Sequence, residues 1–281
     1  MNKINNINIY CFGKDIVSRH SHKNYNQISL KDSKKNKKLL KAIDIVYYLI
    51  SSTFPSSSFD DPLKDVNLNL TPFLHFMDSV HNMNVKKIIF VSSGGSVYGS
   101  SENIISEDSL KLPISPHGII KLTMEFYLEY FKLKSKINYD IFRVSNVYGE
   151  GQNTSKGLGL INTILEKIRE NEEIYIYGDG TSVRNYIYVK DVAKALSFSA
   201  KTNLSLSNIY NLASNDTLSI NEVLKIIRKT HKKELNINFS SFRESDVKKI
   251  RINNKKFLSI YPNFKFTDFS EGIKKVYDHL I

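Results

Sequence analysis

VKKIIFVSS, residues Val85 to Ser93, is a short apolar run rich in β-branched residues and followed by glycine. That is the pattern of a parallel strand buried on both faces. Working outward from it, the same pattern recurs on either side. INIYCFG (Ile7–Gly13) and AIDIVYYLIS (Ala42–Ser51) precede it, and YDIFRVSNVYG (Tyr139–Gly149) follows. Between these runs the apolar period lengthens to that of a helix. Leu63–Met83 sets Val66, Leu70, Phe73, Leu74, Met77 and Val80 on one face. His117–Lys134 does the same with Ile120, Met124, Tyr127, Leu128 and Phe131. Core or subunit packing accounts for both stripes. Alternating strand and helix signals predict an α/β fold on a parallel sheet.

After Gly149 the character changes. A Gly/Asn/Ser-rich loop, Glu150–Gly159, leads into a predicted helix at Leu160–Arg169 and a short strand at IYIYG. The shorter elements beyond it predict a smaller lobe, with a ligand held between the two parts. The chain shows neither an internal repeat nor a low-complexity linker.

Bulk properties narrow the function classes. The 281 residues carry a formal charge of +12, yet the lysines are scattered, and only Lys31–Lys41 (KDSKKNKKLLK) is concentrated. Nucleic-acid binders need a clustered basic face, so no nucleic-acid partner is expected. A modest positive field would still draw in an anionic ligand. No apolar run reaches about 18 residues, so no membrane-spanning helix is expected. Met1–Asn8 is polar, without a secretory apolar core, and the single Cys11 fits a reducing compartment. The expected location is the cytoplasm.

Two segments carry the chemistry: FVSSGGSVYG (Phe90–Gly99) and SPHGIIK (Ser115–Lys121). Around them stand DDPLKDVNLNL (Asp60–Leu70), RVSNVYG (Arg143–Gly149), GDGTSVRNYIYVKDVAKAL (Gly178–Leu196), YNLASNDTLSINEVL (Tyr210–Leu224) and RESD (Arg243–Asp246). In this order they resemble the motifs of the extended short-chain dehydrogenase/reductase superfamily. The resemblance is to its NAD-dependent epimerase/dehydratase family, and within that to UDP-glucose 4-epimerase-like members. It covers the chain beyond Ala42. It implies a Rossmann-like doubly wound parallel sheet, N-terminally shortened, over residues 1–150. A smaller C-terminal substrate-binding lobe would occupy most of residues 151–281. It further implies NAD as cofactor, a UDP-linked nucleotide-sugar as ligand and a role in surface polysaccharide biosynthesis. The two amphipathic helices resemble the family's dimerising helices, which implies a homodimer.

In that family a Tyr and a Lys four residues apart share one helix face. The ammonium lowers the phenol pKa, and the phenolate serves as general base. A Ser or Thr from the strand end polarises the same substrate hydroxyl, and NAD takes a hydride from the sugar and returns it. On the substrate side the resemblance implies that Asn146, Arg184 and Arg243 meet the ligand's phosphates, with Asp246 near the nucleotide ribose.

This chain departs from the pattern at three places. His117 stands at the tyrosine position, with Lys121 retained one turn on. Gly94 occupies the usual hydroxyl position, so Ser93, or else Ser96, is the substitute, and Ser93 is the better candidate. At the N-terminus the G-x-x-G-x-x-G loop is reduced to Gly13 followed by Lys14. The span from Ile7 to Ile45 is too short for the two further strand–helix units of relatives, so at least one is expected to be missing. Gly13, Ser51 and Lys121 remain as cofactor-side candidates. His117, Lys121 and Ser93 are the catalytic candidates. GGS at residues 94–96, in place of acidic residues, favours epimerase over dehydratase. Two readings stay open: an epimerase with a repurposed base, or a pseudoenzyme that binds a nucleotide-sugar or partners an active relative.

Overall fold

The structure, a computed structural model, describes residues 9–13, 25–29, 41–154, 159–201, 205–231, 235–242 and 247–280. Ile9–Gly13 (β1) and Tyr25–Ser29 (β2) pair in parallel, with Ile9 opposite Tyr25 and Gly13 opposite Ser29. Strand β2 lies in the span where the sequence showed no strand, because YNQIS offers no apolar run. Lys14 and the basic stretch as far as residue 40 lie outside the described residues.

Four strands then build the main sheet. Ile45–Tyr48 (β3) pairs with Lys87–Ser93 (β4), reached through the helix Thr71–Val80 (α1). The two-residue strand Ile104–Ile105 (β5) and the long helix Pro116–Ser135 (α2) precede Asn138–Val144 (β6), which pairs with β4 on its other side. All pairings are parallel. The outermost strand, Asn208–Leu212 (β10), comes from much later in the chain and completes the order β10-β6-β4-β3.

Side chains on these strands alternate between two buried layers, as a pleat requires. Ile88, Phe90 and Ile141 pack with Phe73, Met77 and Val80 of α1 and Met124, Leu128 and Phe131 of α2. Ile89, Phe142 and Val144 point the other way, onto Ala195, Leu196, Phe257 and Phe264. The sheet is therefore covered on both faces. One charge pair is sealed inside it: Lys87 Nζ donates to Asp140 Oδ2 at 3.0 Å with both side chains essentially inaccessible.

The approach to α1 differs from a regular helix. A short turn at Pro62–Asp65 runs into a π-turn at Val66–Leu70, which closes with Thr71 N–H donating to Val66 O. Pro72 follows directly. It has no N–H to donate and its ring crowds the preceding turn, which is where a wider turn relieves the clash. The buried face here includes polar side chains: Asp65 and Asn69 continue the line of Phe73, Met77 and Val80, while Val66 and Leu70 pack partly buried against the same core.

The second lobe begins where β6 gives way to Asn146–Tyr148 (β7). Leu160–Glu170 (α3) and Ile174–Tyr177 (β8) lead to Val183–Tyr188 (β9), which pairs in parallel with β7. Val189–Ser199 (α4) returns to the main sheet before β10. Thr217–Ser219 (β11) then pairs antiparallel with β9, and Ile220–His231 (α5) leads to Ile237–Ser240 (β12), parallel to β8. Arg251–Ile252 (β13) pairs with β5, and Phe269–Leu280 (α6) closes the lobe. Its core joins Ile161, Leu165, Ile176, Tyr188, Val223, Ile227 and Ile273. Residues beyond Gly149 thus serve both layers, because a parallel neighbour for β6 has to be reached by a crossover. Among the described residues no helix is long and apolar enough to cross a membrane.

Candidate active site

Parallel strands carry their ligands beyond their carboxyl ends. Here β4 ends at Ser93 and β6 at Val144, and a cleft of about 330 Å³ opens beyond them toward β9 and α3. Ser93, Ser96, Ser145, Asn146, Gln152 and Arg184 supply its polar lining. Ser93 and Ser96 are joined, Oγ to Oγ, at 3.0 Å. Gly94 between them has no room for a side chain: a Cβ would lie 2.8 Å from Ile252 Cδ1 and 3.0 Å from the Arg143 carbonyl oxygen. The hydroxyls on either side of residue 94 are therefore the ones the cleft can use.

Arg184, in β9, is held by the backbone. Its guanidinium donates to the carbonyls of Val183 at 2.9 Å and Lys248 at 3.2 Å, and also to that of Val247. Two buried polar atoms of the lining have no hydrogen-bond partner among the described residues: Ser145 Oγ and Gln152 Oε1. Buried polar atoms are rarely left so, and both are sealed from solvent in this structure.

The floor is a buried network. Glu125 of α2 accepts from Ser92 Oγ at 2.5 Å and from Arg143 Nη2 at 2.7 Å. Arg143 Nη1 also donates to Tyr98 Oη at 2.8 Å, and Tyr98 donates to Asn211 Oδ1 at 2.6 Å. Burial pushes the Tyr98 phenol up to about 12, against the nearby Arg143 charge. These bonds tie β4, α2, β6 and β10 together beneath the cleft.

Helix α2 starts beside it. Ser115 caps the helix, its Oγ accepting from Gly118 N–H at 3.2 Å, and Pro116 fits the first turn, where no N–H is needed. His117 and Lys121 both turn inward and are buried. Lys121 Nζ donates to the Val91 carbonyl at 3.1 Å and lies 5.2 Å from the centre of the Phe90 ring. Burial brings the Lys121 ammonium down to about 8, opposed by Asp65 and Glu125. Burial first, and then the Lys121 charge, push His117 down to about 4, with Asp65 acting the other way. The imidazole is thus neutral near pH 7.

Three residues around His117 escaped the sequence reading. Thr53 Oγ1 lies 3.4 Å from His117 Nδ1, and Asp65 Oδ1 lies 3.8 Å from it. Asn69 donates to both Thr53 Oγ1 and Asp65 Oδ1, at 2.7 and 2.8 Å. The available signal was the spacing of Asp65 and Asn69, four apart and so on one helix face, in a stretch read as a family motif and a helix start with no role given to either residue.

The structure brings Ser93, Asn146 and Arg184 to one cleft, while His117 and Lys121 stand behind its wall against Asp65 and Val91. Ser51 is exposed beyond β3 and donates to the Thr53 carbonyl at 3.4 Å. Gly13 is the last residue of β1. Arg243 and Asp246 lie outside the described residues. No group of His, Cys, Asp and Glu among the described residues is arranged to hold a metal.

Comparison with known proteins agrees with this geometry. A model of the NAD dependent epimerase/dehydratase family matches residues 5–213. The chain is 31% identical over 241 residues to a putative UDP-glucose 4-epimerase of Methanocaldococcus jannaschii, covering 84% of this chain and 76% of that protein. It is 32% identical over 185 residues to dTDP-4-dehydro-6-deoxyglucose reductase of Escherichia coli, covering 66% of this chain and 58% of that one. Among solved structures, the UDP-N-acetylglucosamine 4-epimerase of Methanobrevibacter ruminantium M1, in complex with UDP-N-acetylmuramic acid, has a TM-score of 0.83 at 28% identity. That match covers 92% of this chain and 84% of the other.

Proposed function

The chain belongs to the NAD-dependent epimerase/dehydratase family, and we propose that it binds a nucleotide-linked sugar in the cleft and epimerises it. The observation that carries this reading is the polar cleft beyond the carboxyl ends of β4 and β6, lined by the Ser93–Ser96 pair, Asn146 and the Arg184 guanidinium. A sugar brings hydroxyls to the first group and a diphosphate brings negative charge to the last. UDP is the nucleotide named for the Methanocaldococcus jannaschii relative and the Methanobrevibacter ruminantium structure, whereas the Escherichia coli relative is named for a dTDP sugar.

His117 is the acid and base of this proposal, neutral near pH 7 and made a weaker base than a free imidazole by its burial. Ser93 orients the reacting hydroxyl. NAD, when bound, supplies the hydride acceptor and donor. The residues present fit its ribose end: the Lys121 ammonium has three hydrogens, and one is used on Val91 among the described residues. Ser51 and the exposed Leu49 and Ile50 beyond β3 offer a hydroxyl and an apolar surface for the remainder. The activated sugar would feed glycosyl transfer, the step that builds surface polysaccharide.

One observation favours the second reading, an inert nucleotide-sugar-binding protein: His117 does not line the cleft. Denaturing the purified protein and assaying released NAD(H), followed by calorimetry with NAD and with UDP, separates the two. Bound NAD, with turnover abolished by His117→Ala, is the expected result. UDP binding without NAD binding sinks the redox mechanism and leaves the binding protein.

A further inference from the structure

We propose that Thr53, Asn69 and Asp65 are positioning residues that hold His117 in the tautomer protonated at Nδ1, leaving Nε2 as the basic atom of the ring. The catalytic use of Nε2 rests on the function proposed above; the tautomer does not.

The Ser52 backbone N–H can only donate, and it lies 2.7 Å from Asn69 Oδ1. That contact fixes which end of the Asn69 amide is oxygen, so Nδ2 is the donor on the other side. Its two hydrogens go to Thr53 Oγ1 at 2.7 Å and Asp65 Oδ1 at 2.8 Å. A threonine hydroxyl has one hydrogen, and Thr53 donates it to Asp65, whose carboxylate only accepts. What Thr53 has left is a lone pair, and His117 Nδ1 sits 3.4 Å away. Two lone pairs facing each other would repel, so Nδ1 carries the hydrogen.

The surrounding charges act in the same sense. Asp65 is fully buried, and its Oδ2 has no hydrogen-bond partner among the described residues. Its Oδ1 accepts from Thr53 and Asn69 and stands 3.8 Å from His117 Nδ1. The other charged groups packed here are Lys121, one turn along α2, and Glu125, one turn further. When Nε2 takes a proton, the new positive charge forms beside Asp65. A carboxylate behind a histidine orients the ring and steadies the imidazolium in this way at other sites. Nε2 itself has no partner among the described residues and is not one of the sealed, unpartnered atoms.

The test is nitrogen NMR on the full chain with ¹⁵N-labelled histidine. His117 is picked out among the seven histidines by the signal lost in His117→Gln. The long-range proton–nitrogen pattern near neutral pH should show hydrogen on Nδ1 and none on Nε2; hydrogen on Nε2 overturns the assignment. Asp65→Asn, which removes the nearby charge, and Thr53→Val, which removes the neutral acceptor, should each shift the tautomer ratio toward Nε2–H by up to about tenfold. Thr53→Ser, which keeps the hydroxyl, should leave the ratio unchanged. A ratio unmoved in both Asp65→Asn and Thr53→Val also overturns the proposal, and if neither folds, the wild-type pattern decides alone. NAD and turnover assays on the same sample keep the questions apart. Nδ1–H without turnover leaves the inference standing and removes the proposed activity, whereas turnover with Nε2–H does the reverse.

Discussion

At the scale of single residues, the site is governed by what burial does to two bases. His117 has its ordinary value near 6.5 in the unfolded chain and about 4 in the folded one. Between those two pH values the unfolded chain binds the extra proton, so stability falls as pH drops through that window. The shift corresponds to about 3 kcal/mol at most. His117→Gln removes the titration, and urea unfolding at pH 7 and pH 4.5 should show a smaller acid loss in the variant. Parallel losses would mean that His117 is not held neutral by its surroundings. Much of this site was legible beforehand. The motifs named Ser93, Asn146 and Arg184, which line one cleft, and His117 and Lys121, which are buried behind its wall. Asp65, Thr53 and Asn69 were not legible, because their importance lies in which neighbour each hydrogen serves, and that requires three dimensions.

At the scale of elements, legibility followed periodicity. β4 and α2 are long and strongly patterned, and their residues took the expected faces. The segment before α1 brought an addition, since an assumed 3.6-residue period does not anticipate a π-turn: Asp65 and Asn69 are buried beside the partly buried Val66 and Leu70. β2 was missed because its pairing is made by the backbone and leaves no apolar trace in YNQIS. Helix α2 has a second face that the monomer leaves uncovered. Ile119, Phe126, Tyr130 and Leu133 recur at helical spacing there, with Phe126 69% and Leu133 77% exposed. We propose that a second copy packs on this stripe to form a homodimer. Light scattering should give a dimer mass for the wild type and a monomer mass for the Phe126→Asp, Leu133→Asp double variant. A wild-type monomer at high concentration would refute this.

At the scale of the whole molecule, ligand binding and folding are linked. UDP at about a hundred times its Kd should stabilise the protein by about 2.7 kcal/mol, visible as a rise in Tm. Arg184→Met should cut that rise, while uridine, which lacks the phosphates, should give equal and smaller rises in both proteins. Equal UDP effects in wild type and variant would remove Arg184 from the phosphate site. The chain's path adds a mechanical property to this picture. It leaves the main sheet after β6, returns through α4 and β10, leaves again for β11, and returns once more at Phe257. A lobe hung on one strand could swivel freely. One stitched to its neighbour at several points keeps few degrees of freedom.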